Sequence, residues 1–246
     1  MVVAILAGCD RPAPTPATQH LTIAAAADLR GALQELSAAF EKSHPLTKID
    51  PTFGSSGTFY SQLTAKAPFD LFLSADSAYP AKLVEQGLAK PDAVFKYAVG
   101  HIVVWTRKGS GIDVSKGLAA LTSDGVRKIA IANPRHAPYG RAAEAALRSA
   151  GLYDTVAPKL VLGENIAEAA QFAQAGSADV GIIALSLATG MDGDYAEVPP
   201  DLYPKLEQSG VILPWATNAK LAADFREFLT SPDARAVLKR RGFAEP

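Results

Sequence analysis

Four times along this chain a short apolar run ends at a turn of small residues and a helical pattern begins at once. The fullest example is Phe53-Gly54-Ser55-Ser56-Gly57-Thr58-Phe59-Tyr60. Ser56 stands there where a helix N-cap belongs, and Phe59 and Leu63 share one helical face. The flanking glycines let the backbone come close to something small. The other three are Ala27-Asp28 after an apolar run at 21–27, the turn 133–140 after a run at 128–132, and 165–168 after a run at 160–164. Strands that feed helices through short turns, again and again, are the pattern of α/β architecture with mainly parallel sheets. Each helix start leaves about four backbone N–H groups without internal partners and so attracts anions. One such turn carries little, because Ser before a helix is a routine cap. Four of them argue for a shared anion cleft.

With 246 residues, 48% hydrophobic and 20% charged, the chain can bury one large domain or two lobes. A net charge of -1 excludes a strongly basic nucleic-acid binder. In a first lobe, strands are expected at 48–53 and 69–74, a helix at 78–86, and a long strand at 97–105 that crosses between lobes. A second lobe holds strands at 128–132, 160–164 and 179–184 and a helix at 141–150, and the chain returns through a strand at 210–215. Asn165 followed by Glu168 has the form of a capping box, and Ser231-Pro232 starts a terminal helix. The expected division is 21–101 plus 211–246 for the first lobe and 102–210 for the second. Residues 1–20 serve as signal and tether.

Within that leader, Leu6-Ala7-Gly8-Cys9 resembles a bacterial lipobox, in which Cys9 becomes the lipidated first residue of the mature chain. The alternative is a free cysteine at the end of an ordinary signal peptide; either way no lysine or arginine precedes the apolar run. A single cysteine allows no internal disulfide. The proline-bearing stretch 10–19 reads as a tether. The expected location is therefore periplasmic, with a membrane anchor on Cys9.

A resemblance ties these pieces together. Ala25-Ala26-Ala27-Asp28-Leu29, Phe53-Gly54-Ser55-Ser56-Gly57, the segments 67–76 and 133–143, and the closing Arg241-Gly242-Phe243 resemble, in order, the molybdate-binding proteins of ABC transporters. The likeness runs from Leu21 to Phe243. It implies a type II periplasmic-binding-protein fold: two α/β lobes, a hinge of crossing strands, and molybdate or tungstate held as an oxyanion in the cleft. It implies no cofactor and no direct metal ligand, an ABC permease with its ATPase as partners, and a monomer. Carried over by position, the ligand-binding residues are Ala27, Asp28, Ser56, Tyr139 and Ile166. Ser56 would supply hydroxyl and backbone N–H, and Tyr139 and Ile166 backbone N–H groups. Two positions depart. Ala27-Asp28 stands where one branch has Ser or Thr-Asn, and Ala184 stands where one branch has a tyrosine. The Tyr139 hydroxyl is expected to replace the latter from the opposite side.

Asp28 has two readings. Its side chain turns away to cap its own helix, leaving only its N–H to the ligand; or it accepts a hydrogen bond from a protonated oxyanion such as phosphate or a phosphonate. A bare carboxylate beside a dianion is otherwise repelled by several kcal/mol, at an effective dielectric constant of about 20. Elsewhere the signals are weaker. His20, His44, His101 and His136 have no paired metal spacing, so no metal site is expected. Arg135 and His136 read as a solvated rim. Residues 54–57 lack the lysine of a P-loop. Trp105 and Trp215 read as packing residues at the two crossings. An enzyme on the same bilobal fold is the other function class; it would need a base beside Ser56, and the sequence places none there.

Overall fold

The computed structural model describes residues 17–246, so Cys9 and nearly all of the proposed leader lie outside it. The first half of the chain contributes β1 (Gln19–Ala26), α1 (Arg30–Ser43), β2 (Thr47–Gly54), α2 (Ser56–Thr64), β3 (Leu71–Ser74), α3 (Ala78–Glu85) and β4 (Val94–Gly100). Then come β5 (Ile102–Arg107), β6 (Ile129–Ala132), α4 (Pro138–Ser149), α5 (Tyr153–Val156), β7 (Leu160–Gly163), α6 (Ile166–Gln174), β8 (Val180–Ala184), α7 (Leu185–Ala188) and β9 (Gly193–Glu197). The chain closes with β10 (Leu206–Ile212), α8 (Ala219–Leu229) and α9 (Pro232–Arg240). Gln19 and His20 pair with Thr47 and Lys48, so the last two residues of the expected tether belong to the sheet.

Two five-stranded sheets result, ordered β2-β1-β3-β10-β4 and β7-β6-β8-β5-β9. The orders are the same once the chain is divided. In each, a parallel trio (β2-β1-β3, β7-β6-β8) is followed by one antiparallel strand, β10 or β5, which pairs with the edge strand β4 or β9. That antiparallel strand is in each case the one that has just arrived from the other sheet. Parallel trios need crossover helices, and the central strands are buried on both faces: Ile23, Ala24 and Ala25 of β1 and Ile129 and Ala130 of β6 are inaccessible to solvent.

The crossings differ from the expected ones. The apolar run 97–105 is two strands, β4 and β5, in different sheets, with His101 between them. β10 begins at Leu206 and pairs with the first sheet along its whole length, so the return precedes Leu206 instead of falling at 210–211. Neither tryptophan sits at a crossing. Trp105 is fully buried in the second lobe, and Trp215 donates its indole N–H to Ala67 O at 3.0 Å within the first.

Each sheet carries its own core. In the first lobe Phe40 packs edge-on to Phe225 with ring centroids 5.1 Å apart, joining α1 to α8. Asp70, just before β3, fastens the lower end of this sheet: its carboxylate accepts from Thr22 N (2.8 Å), Thr22 Oγ1 (2.7 Å), Thr217 N (2.6 Å) and Thr217 Oγ1 (2.9 Å). Burial alone would raise that carboxyl, but the hydrogen bonds prevail and hold it below the usual carboxylate range.

Candidate functional site

The carboxyl ends of β1, β2, β6 and β7 point at one place, as strand ends of open α/β sheets do. There a small cavity of about 10 Å³, room for roughly one water, is walled by Ala27, Asp28 and Ser56 from the first lobe and by Ala137, Tyr139 and Ile166 from the second. All five residues expected to bind ligand line it. Among the described residues, Asp28 is the only charged side chain in its wall.

Local chemistry explains each turn. After β7, Asn165 caps α6: its side-chain oxygen accepts from Ala167 N (3.0 Å) and Glu168 N (3.1 Å). The expected capping box is out of step, because the Glu168 carboxylate reaches Glu164 N at 2.5 Å and not Asn165 N. The cap takes the N–H groups of Ala167 and Glu168, so the first N–H of this helix, that of Ile166, is left over at the cavity. Ahead of α4, Pro138 fills the first helical position and Tyr139 follows with the first available N–H.

In the first lobe Ser56 is not the cap. Ser55 holds that place, and Ser56 is the first residue of α2. The Ser56 hydroxyl accepts from Ala75 N at 3.0 Å, which ties the β2 and β3 turns together and leaves the hydroxyl proton free to donate. No base touches it. Ser55 does contact a ring, with Oγ 3.0 Å from His136 Nδ1, but its proton goes to the His136 carbonyl at 2.6 Å. That pair joins the lobes. Gly57 N also donates to His136 O at 2.9 Å, and a Cβ on Gly57 would collide with that oxygen. At the rim, Arg141 of α4 pairs with Asp76 at 2.5 Å and lies over the Tyr79 ring. His136 is thus a seam residue, not part of a solvated rim.

Asp28 corrects two expectations. It sits in a 3-10 turn (Ala27–Leu29) ahead of α1, is 1% exposed and makes no capping bond. Its Oδ2 accepts from the Tyr139 hydroxyl at 2.9 Å and from Gln208 Nε2 at 2.6 Å, across the lobe boundary and from β10 respectively. Its Oδ1 has no partner. The Tyr139 hydroxyl therefore gives its proton to Asp28 and does not stand in for a ligand-binding tyrosine at Ala184. Tyr97 donates to Gln208 Oε1 at 3.0 Å, which fixes that amide with its nitrogen toward Asp28. Ser186 of α7 donates to Asp28 O at 2.9 Å. Burial pushes the Asp28 carboxyl up from 3.8 to about 6, opposed by the Gln208 and Tyr139 hydrogen bonds and, less, by the nearby N–H groups of Asp28 and Leu29. Burial first, and then the Asp28 charge, hold the Tyr97 and Tyr139 phenols above their usual range.

Gln208, Tyr97, Ser186 and Ala75 escape a reading of the sequence. Gln208 lies 180 residues from the carboxylate it serves, and nothing local distinguishes it from a solvated strand residue.

The wall carries no positive side chain; Asp28, Ser56, Tyr139 and Ile166 line it at helix starts, where backbone N–H groups lack partners within the helix, and Ser56 adds a hydroxyl. Among the described residues no cluster of three or more His, Cys, Asp or Glu could hold a metal ion.

Comparison with known proteins gives a consistent set. The family description "Bacterial extracellular solute-binding protein" matches residues 21–244. The molybdate-binding protein ModA of Rhodobacter capsulatus is 38% identical over 242 residues, covering 98% of this chain and 93% of that protein. The Azotobacter vinelandii molybdate-binding protein ModA is 36% identical over 249 residues, covering 99% of this chain and 96% of its own. Among solved structures, an Azotobacter vinelandii periplasmic molybdate-binding protein superposes with a TM-score of 0.86 at 32% identity, over 92% of this chain and 99% of that one.

Proposed function

The chain belongs to the bacterial extracellular solute-binding proteins, and from that premise we propose that it captures molybdate or tungstate between its lobes for an ABC permease. The observation that carries the reading is the convergence of four strand-end turns, two from each lobe, on one cavity without a cation. A tetrahedral oxyanion presents acceptors in every direction and suits a cage of N–H donors at helix starts. In this reading Asp28, Ser56, Tyr139 and Ile166 each give a backbone N–H, Ser56 adds its hydroxyl, and Ala27 shapes the wall. The two lobes close about His101 and the segment before Leu206, and the Ser55–His136 and Arg141–Asp76 contacts latch the closed form.

A receptor fits better than an enzyme. No base bonds the Ser56 hydroxyl, which accepts from Ala75 N, and the cavity-wall serine that meets a histidine ring, Ser55, gives its proton to a carbonyl. Delivery implies a permease and its ATPase as partners, and Cys9 is the proposed lipid anchor that would hold a monomeric receptor near them.

A thermal-shift panel tests the reading. Molybdate and tungstate should raise the melting temperature, with sulfate and phosphate doing much less. Ligand at 100 times its dissociation constant stabilises by about 2.7 kcal/mol, several degrees for a chain of this size. A panel in which no oxyanion moves the transition would sink it.

A further inference from the structure

The one charge in the cavity wall has the sign an anion should avoid. Asp28 is nevertheless held there with care. Oδ2 is gripped by the Tyr139 hydroxyl and the Gln208 amide, Gln208 is itself oriented by Tyr97, and Oδ1 is buried with nothing bonded to it. Two side-chain donors on one oxygen and no well-aligned hydrogen bond on the other is the arrangement that suits a carboxylic acid: Oδ2 as the carbonyl oxygen, Oδ1 as the O–H. The titratable groups that face this carboxyl are Tyr139 from α4 and Tyr97 from β4, both buried phenols that stay neutral. Gln208 from β10 and Ser186 from α7 bring no charge, and no lysine, arginine or histidine bonds it among the described residues.

We propose that the site takes up its anion together with one proton, held between Asp28 Oδ1 and a ligand oxygen, so that Asp28 serves as a donor. The proposal rests on the oxyanion reading above and deepens it. The proton comes from solvent, the only bond made is O–H, and no other group changes state. A dianion such as molybdate, which brings no proton, then meets a cage of donors with no exposed negative charge. Hydrogen phosphate, which brings its own proton, could place it on the same Oδ1. Burial has already lifted the carboxyl toward neutrality, to about 6, before any anion arrives. A dianion alongside lifts it further.

Calorimetry of molybdate and sulfate binding to the full chain, from pH 6.5 to 8.5 in buffers of different ionisation enthalpy, tests this. The expected result is an uptake approaching one proton per anion at pH 8 and an affinity that falls nearly tenfold per pH unit. Asp28→Asn keeps an acceptor for Tyr139 and Gln208 and puts an N–H where the acid proton was. This variant should bind with no proton uptake, with an affinity flat in pH, and more tightly than the parent at pH 8.5. Molybdate binding by the unaltered chain without proton uptake would overturn the proposal and leave the receptor reading standing. Retention of the parent's pH slope by Asp28→Asn would also overturn it. Failure of every oxyanion to bind the unaltered chain would overturn the receptor reading itself, and this proposal with it.

Discussion

Asp70 and Asp28 are buried carboxyls at opposite ends of the same sheet, and they are treated in opposite ways. Asp70, at the entry to β3, has four donors shared over both oxygens, and its carboxyl is held low. Asp28, at the exit of β1, has two donors on one oxygen and none on the other, and burial pushes it up to about 6. Fully satisfied buried charges hold parts together, whereas half-satisfied ones are costly. Asp70 is a fastener that joins β1, β3 and the segment at Thr217. Asp28 lines the cavity with one oxygen unpartnered, the arrangement the proposed proton uptake uses.

The largest effect should come from removing the fastener. Asp70→Ala leaves the N–H groups of Thr22 and Thr217 without their acceptor and should cost about 3–5 kcal/mol by denaturant unfolding, since bonds to charged groups contribute roughly 1.5–3 kcal/mol each and add incompletely. The Asp70 contribution is present above the unfolded value near 3.8 and is lost as pH falls through its lower folded value. Anion affinity should change little. A stability unchanged at pH 7 would remove the contrast.

Asp28 should act with the reverse sign. Its folded value of about 6 lies above the unfolded 3.8, so the unliganded fold binds more protons than the unfolded chain between those values. Stability from this group is therefore full below about pH 4 and declines by roughly 3 kcal/mol as pH rises through 6, at about 1.4 kcal/mol per pKa unit. Asp28→Asn should abolish that decline and be the more stable protein at pH 7. Parallel pH–stability curves for the two proteins would count against it.

Ser56→Ala tests the ligand side of the cavity. It removes one proposed donor to the anion and the acceptor for Ala75 N, without touching Asp28. Molybdate affinity should fall roughly ten- to hundredfold, with the pH slope preserved. The smallest effect is expected at Ile166 in the second lobe, whose proposed contact is a backbone N–H. Ile166→Val should shift affinity by less than about threefold, because the helix start and its N–H are set by the Asn165 cap; Ile-to-Val changes elsewhere in packed surroundings cost about 0.5–1.5 kcal/mol of stability, felt equally with and without ligand.

Much of this was legible in the chain. Apolar runs mark most strands, and the turns at Asp28, Ser56, Tyr139 and Ile166 announce the cavity because strand-to-helix junctions are local chemistry. What was hidden is long-range. His101 separates two apolar strands of different lobes, and a single residue between Gly100 and Ile102 does not break a hydrophobic run. The partners of Asp28 come from 111 and 180 residues away, so its local context shows only a good capping residue. Ser55 and Ser56 are adjacent and alike; which one caps and which one faces the cavity depends on where the second lobe lands.

One oxyanion should sit among those four turns. Tungsten scatters strongly enough to be located unambiguously by anomalous diffraction from crystals grown with tungstate. One tungsten per chain is expected between Ser56 Oγ and Ile166 N, with an oxygen in hydrogen-bond reach of Asp28 Oδ1. Tungsten found instead in the open groove lined by Arg30, Glu168, Gln171 and Met191, with the interlobe cavity empty, would contradict it.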